Sequence, residues 1–507
     1  MKDCSVDNKR ILKNTIFLYV RMIFLMVISL YTVRVTLKNL GVENYGIYNV
    51  VGGVVALFSF LRSALTTSSQ RFFSIHLAKG NMEALNKQFC LNLNVFLLIV
   101  VIVILLLETG GLWFLNCKMS VSSNRLFAAN VVFQLSIISF VMHMLTVPYN
   151  AMIVAYEKMG AFAYISIVEG LLKLAIAYVL LVVYGDKLIV YGLLTLLYSA
   201  FITGCYIVYC KRKLQGTDYF WYWNTSEVKN LFAFTGWHFL GTTSVSAKTQ
   251  GVNMLINIFF NPAVNAARAV AMHVDLAVLQ LSNNFFTAVK PQMYKTYANN
   301  EMDALYNLVF RSTIFCAFLM SLFSIPLIIS ADYILSLWLH EVPEYTVVFT
   351  QLVLINGIID STNGATIAPA LATGKIKKYM IIVSLIIFAN IPLCYLFLVN
   401  GYSPTVTMYI SIFLSIITMF VRAFLLKKLI GLPLKKYYRI ATLIILSTLF
   451  MLIILHYIFI NGVTGMLGLF ICLFVSILMQ TIIYSGLIVN KDDRQAIIKI
   501  VLSKIKK

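Results

Sequence analysis

The residues of this chain best suited to chemistry are cations embedded in apolar sequence. Of 40 Lys and Arg residues, seven lie inside long hydrophobic runs: Arg21, Arg34, Arg62, Lys173, Lys248, Arg268 and Arg422. A charge at hydrocarbon depth costs several kcal/mol, so such a side chain faces protein or water and marks a pathway or a site. A guanidinium pairs two oxygens of a phosphate or carboxylate at once, which an ammonium does not. Arg21, Arg62, Arg268 and Lys248 are therefore the candidate holders of an anionic substrate group. Arg34 and Arg422 sit near the ends of their runs and are expected to snorkel toward the interface.

Spacing reinforces the choice. Ser59, Arg62, Thr66 and Ser69 fall on one helical face, and Arg21 heads a similar stripe with Ser29, Thr32 and Thr36. His238, Thr242, Ser246, Thr249 and Asn253 share a face with Lys248 at its edge; Arg268, Asp275 and Ser282 share another. Ser and Thr alone would read as hydrogen-bonding glue between helices. With cations among them, the stripes predict a wet cavity.

The acids suggest coupling or gating. Glu169 and Lys173 are four apart and suit a local ion pair. Asp275 lies two turns from Arg268 and is expected to neutralise it or exchange partners during transport. Asp360 stands between Asn356 and Asn363 on one face, a place for a coupling H⁺ or Na⁺. His238 and His273 read as core imidazoles. No catalytic residue, metal site or cofactor is expected: there is no phosphate-binding glycine loop and no metal-ligand spacing. The eight cysteines form no CxxC pair and read as small hydrophobes.

The elements that must position these residues are transmembrane helices. The chain has 507 residues, is 60% hydrophobic and has a mean hydropathy of +0.87, too apolar for a soluble core. Runs of about 20 apolar residues recur about fourteen times. Net charge is +21, but no nucleic-acid motif accompanies it. Its distribution explains it better: 29 cations fall on alternate breaks and the two ends, against four (Lys38, Lys118, Arg125, Lys187) on the other breaks. The cation-rich side is the cytoplasmic one, which puts both termini inside and requires an even number of spans. The basic start before a first apolar run imitates a signal peptide, yet the run is too long and lacks a cleavage site, so it reads as a retained span.

Shifting the sequence by 220 residues lays Asn81–Leu85 on Glu301–Leu305 and Gly41–Gly46 on Asn261–Ala266. The shift passes six spans, so the halves keep one orientation, as parallel repeats do. The expected organisation is an N-terminal lobe over 1–210 (spans 1–6), a cytoplasmic linker over 211–231 and a C-terminal lobe over 232–426 (spans 7–12). Two extra spans over 427–489 and an amphipathic basic tail over 490–507 follow. The fold class is thus an all-α integral membrane protein: two parallel six-helix lobes plus two C-terminal helices.

The chain resembles the polysaccharide flippases of the MOP superfamily, which include the O-antigen and lipid II flippases, with the MATE exporters as cousins. Leu40-Gly41-Val42-Glu43-Asn44-Tyr45-Gly46-Ile47-Tyr48 resembles the family's LG-x-x-x-YG-x-Y/F approach to span 2, and Ser69-Gln70-Arg71-Phe72-Phe73 followed by Gly80-Asn81 resembles the end of that span. The resemblance implies lobes arranged in a V, alternating access and residence in a bacterial inner membrane. It implies an undecaprenyl-pyrophosphate-linked oligosaccharide as substrate, and glycosyltransferases and a glycan polymerase as partners in polysaccharide or lipopolysaccharide synthesis, beside the membrane lipids. Arg21, Arg62 and Arg268 match the family's cavity arginines by span and depth; Lys248 has no firm counterpart. The acid that cation-exporting relatives keep in span 1 is absent. A MATE-type cation or drug exporter is the alternative. A multispanning glycan polymerase or ligase is a weaker one, because the outer breaks are too short for its periplasmic loop.

Overall fold

A computed structural model describes residues 8–40, 44, 47, 48, 51, 59–117, 123–260, 262–338, 342–459 and 465–488. Among them there is no strand. The helices are α1 Asn8–Leu40, α2 Ser59–Ala78, α3 Met82–Cys117, α4 Leu126–Ala155, α5 Met159–Val179 and α6 Lys187–Lys213. Then come α7 Thr225–Phe259, α8 Pro262–Ala298, α9 Met302–Ile329, α10 Ala331–Trp338, α11 Thr346–Thr373 and α12 Lys377–Val399. The last are α13 Val406–Ile430, α14 Leu434–Ile458 and α15 Gly465–Ile483. The eight-residue α10 is too short to cross a bilayer; the other fourteen match the number expected. Most of the Gly41–Gly46 motif and the tail after residue 488 lie outside the described residues.

Among the described residues nine helices are apolar and long enough to span by composition alone: α3, α4, α5, α6, α9, α12, α13, α14 and α15. Helices suit this because each satisfies its own backbone hydrogen bonds, which hydrocarbon cannot do. The chain is a multi-pass membrane protein. The five long helices below that mark are α1, α2, α7, α8 and α11, the ones that bear most of the embedded ions and polar stripes. What lowers their hydropathy is their candidate chemistry.

The chain forms two compact units. One holds residues 1–239 and 290–299, the other 240–289 and 300–507. Helix α7 passes from the first to the second at Phe239, and the end of α8 belongs to the first. In the first unit α1 packs on α5, α4 on α6, and α2 on α3 and α4. In the second, α11 packs on both α9 and α13, and α14 and α15 pack on α9. Gln480 of α15 donates to the Ser321 carbonyl of α9 at 2.8 Å. Only residues 214–224 of the expected linker are non-helical, because Lys213 closes α6 and Thr225 opens α7.

The 220-residue period reappears in the backbone. Helix α3 begins at Met82 and α9 at Met302. Each follows a left-handed residue, Gly80 at φ 66° and Asn300 at φ 59°; these are the residue types that tolerate that region. Helix α3 leaves α geometry for a π turn at Leu107–Gly111, and α9 carries Pro326 at the equivalent level. Prolines 148 and 369, one residue out of register, lie near the ends of α4 and α11.

Candidate binding cavities

Each unit holds a half-open cavity whose apolar walls carry a set of polar and charged side chains. The first, about 420 Å³, is lined by Arg21, Ser29, Thr32 and Thr36 of α1, by Ser166, Glu169 and Lys173 of α5, and by tyrosines 191 and 198 of α6. The stripe headed by Arg21 therefore does line a cavity. Glu169 and Lys173 form the expected i,i+4 ion pair at 2.7 Å. Arg21 places its guanidinium 4.3 Å from the centre of the Phe162 ring and leaves its buried Nε without a hydrogen-bond partner. The carboxylate is engaged by Lys173, so Arg21 is the cation with donors to spare. Tyr198 covers Lys173, ring centre 5.4 Å from Nζ, an arrangement that stabilises a desolvated ammonium.

The second cavity, about 340 Å³, is lined by Lys248 of α7, Ser282 and Asn283 of α8, Asp360 and Asn363 of α11, Asn390 of α12, and Ser415, Thr418 and Arg422 of α13. Asn356 and Asn363 each donate an amide proton to the Asp360 carboxylate, at 3.0 and 3.1 Å. The acid flanked by two asparagines in sequence is thus held by both. Arg422 is buried and makes a long 3.5 Å contact to the Tyr379 hydroxyl. Its Nε has no partner. Among the described residues neither Arg422 nor Lys248 forms a salt bridge.

Arg422 corrects the expectation that it would snorkel. Helix α13 runs on to Ile430, two turns past it, so its side chain lies deeper than the end of the apolar run suggested. The signal was available: Ser411, Ser415, Thr418 and Arg422 recur at helical spacing. His143 of α4 is a neighbour of the first cavity that sequence reasoning did not find. It lies 6.2 Å, centre to centre, from the Tyr198 ring and within electrostatic reach of Arg62, Glu169 and Lys173.

The other predicted residues lie elsewhere. Arg62 lines neither cavity and has an exposed side chain, although its field reaches Glu169. Arg268 is buried, lines neither cavity and donates to Asn253 of α7. It forms no ion pair with Asp275, contrary to expectation. Seven residues along a helix separate the two by about 10 Å of axial rise, too far for a direct contact between side chains on one face. Asp275 instead backs onto α11, where a Cβ at Gly357 would stand 2.7 Å from its Oδ1, and it lies within electrostatic range of Asp360 and Lys248. His238 is buried and His273 exposed. Among the described residues no group of three His, Cys, Asp or Glu could hold a metal ion.

No protein-family profile matches the chain, and no curated protein matches it. Solved structures do. A MATE transporter in its straight conformation aligns with a TM-score of 0.72 at 14% identity, over 84% of this chain and 97% of its own. A MOP superfamily transporter from Pyrococcus furiosus, whose binding pocket is described as of reversed polarity with a different function suggested, aligns at 0.69 and 13% identity, over 83% and 96%. The MATE transporter ClbM in complex with Rb⁺ aligns at 0.69 and 13%, over 83% and 94%. At such identities the likeness speaks for architecture: this chain has the fold of the MATE transporters of the MOP superfamily.

Proposed function

We propose that this protein is a membrane transporter that flips an anionic lipid-linked oligosaccharide, carried on undecaprenyl pyrophosphate, from the inner to the outer leaflet of a bacterial cytoplasmic membrane. The observation that carries the reading is the charge balance of the cavities. Each offers two cations and one carboxylate, and in each the carboxylate is engaged locally: by Lys173 in one, by two asparagine amides in the other. Arg21, Lys248 and Arg422 are left to meet an external anion. A pyrophosphate bonded to a sugar cannot enter hydrocarbon unaided, because burying bare charge costs up to tens of kcal/mol. A polar cavity opened alternately to the two sides removes most of that cost, while the prenyl tail stays in lipid. Hydroxyls and amides along the cavity walls suit the sugar. Arg62 and Arg268, outside both cavities, assist by field or after a change of conformation.

A MATE-type cation exporter is the second reading, favoured by the carboxylates Glu169 and Asp360 and by the names of the structural neighbours. One experiment separates the two. In a strain lacking the gene, the lipid-linked glycan is assayed on each face of the membrane, with complementation by wild type, Arg21→Ala or Arg422→Ala. The flippase reading expects inner-leaflet accumulation, cured by wild type and uncured by either variant at normal protein levels. Normal leaflet distribution in the deletion, with uptake of a radiolabelled organic cation by vesicles, overturns it in favour of the exporter.

A further inference from the structure

Between α6 and α7 the chain reads Tyr219-Phe220-Trp221-Tyr222-Trp223, five aromatic residues in succession. Their backbone is fixed on α3. The Cys90 thiol donates to the Asp218 carbonyl at 3.3 Å, and the Phe220 amide returns a bond to Cys90 Sγ at 3.4 Å. Asn94 Nδ2 donates to the Tyr222 carbonyl at 3.0 Å and receives the Tyr219 hydroxyl on its Oδ1, also at 3.0 Å. With the polar atoms so engaged, the rings turn outward: Trp221 is 74% exposed, Tyr219 51%, Trp223 42% and Phe220 40%.

The level at which they sit is decisive. Helix α3 mixes polar and apolar residues up to Asn94, its last polar residues there being Gln88, Asn92 and Asn94, and then Val95–Leu107 is wholly apolar. The residues that hold the aromatic run are therefore those at the start of the hydrocarbon, where Trp and Tyr concentrate because one part of the ring prefers lipid and the other water. Immediately before the run, α6 ends in Lys211, Arg212 and Lys213, all exposed. The nearby acids are mostly occupied: Glu227 accepts from the Tyr222 hydroxyl and Glu83 pairs with Lys87 at 2.6 Å. The exception is the exposed Asp218, whose bond from Cys90 falls on the backbone carbonyl rather than the carboxylate. Glu227 keeps its charge, since its donor is neutral, so two carboxylates, Asp218 and Glu227, stand against three cations and the patch stays positive.

We propose that Tyr219–Trp223 and Lys211–Lys213 form a docking site for anionic phospholipid headgroups, which seats the connection from α6 to α7 in the interface on the cation-rich side. Basic residues beside a partly inserted aromatic anchor are what an anionic headgroup region attracts. The site is independent of the cavities and of what they carry.

The test uses the full-length protein with Trp113→Phe, Trp237→Phe and Trp338→Phe, so that only Trp221 and Trp223 emit. It is reconstituted in vesicles of phosphatidylcholine and phosphatidylglycerol, one or the other brominated near the headgroup end of the acyl chains. Emission is expected to be quenched by the shallow bromines, to be protected from aqueous iodide, and to be quenched more by brominated phosphatidylglycerol. In a Lys211→Ala, Arg212→Ala, Lys213→Ala variant the preference for the anionic lipid should fall, by roughly fivefold per cation removed, with quenching by phosphatidylcholine retained. If that variant does not accumulate, Lys211→Gln, Arg212→Gln gives the same reading. Free access of iodide with no bromine quenching would make the ridge a water-facing, protein-docking surface and end the proposal. Equal quenching by the two lipids would remove the headgroup choice and overturn it as well.

Discussion

Arg422 shows how much a cation's surroundings decide. Its one polar contact among the described residues is the 3.5 Å approach to Tyr379, so little in the resting protein competes for its fork. Charged hydrogen bonds contribute about 1.5–3 kcal/mol each. If the proposed function holds, Arg422→Ala should therefore weaken binding of the lipid-linked substrate by about 10- to 100-fold. Arg422→Lys should recover part of that loss, since the charge returns without the bidentate geometry. Equilibrium binding to the purified variants reads both effects. Glu169 gives the opposite sign. Glu169→Gln releases Lys173 from its 2.7 Å pair and adds a second free cation to the first cavity. Anion affinity should rise severalfold, whereas transport need not. A fall in affinity would mean that the carboxylate itself touches the substrate.

Among the elements, the seam of α8 against α11 tolerates least. A Cβ on Gly364 would stand 2.3 Å from Cε2 of the Phe286 ring. Phe286 is itself buried, so the ring has little room to retreat. Gly364→Ala should cost about 1–3 kcal/mol of stability through overpacking and lower the thermal midpoint in detergent. Gly204→Ala, on a mid-helix glycine with nothing within 4 Å, should not lower it and should raise it slightly through helix propensity. Helices of this length were legible in the sequence because each apolar run reports its own burial. The seam was not, because a glycine in an apolar run looks the same whether a ring covers it or lipid does. Arg422 was missed for a related reason: the run's end was read as the helix's end. The buried carboxylate of Glu157 lay further out of reach. Its partners, Lys295 at 2.6 Å and Gln292 at 3.2 Å, come from a helix more than a hundred residues away, and no local pattern announces such a pair.

At the scale of the molecule, the proposed flipping of a pyrophosphate-linked substrate would draw on the membrane potential. Carrying two negative charges outward across an inside-negative membrane is favoured by about 4–5 kcal/mol per 100 mV if they cross the whole field. A potassium diffusion potential set with valinomycin in proteoliposomes should therefore accelerate flipping in the physiological direction and slow the reverse. Rates indifferent to the potential would mean that the substrate crosses with its charge compensated, by an ion held at Asp360 for example. What was readable at this scale was the count of spans, a property of hydropathy along a line, and the period of the repeat, carried by residues that match at a fixed shift. Which residues share a cavity was only partly readable. Arg21 joined the residues of its own stripe, while Arg62 and Arg268 took places that depend on packing.

The left-handed turns at Gly80 and Asn300 have an evolutionary reading. A gene doubled end to end copies its hinges together with its helices, and a hinge drifts only among residues its backbone admits. Asparagine is one of the few residues that glycine could become there at little cost. The two hinges should still be interchangeable: transplanting residues 79–85 into positions 299–305, or the reverse, should yield protein that inserts and melts as the parent does. Placing valine at either hinge should not.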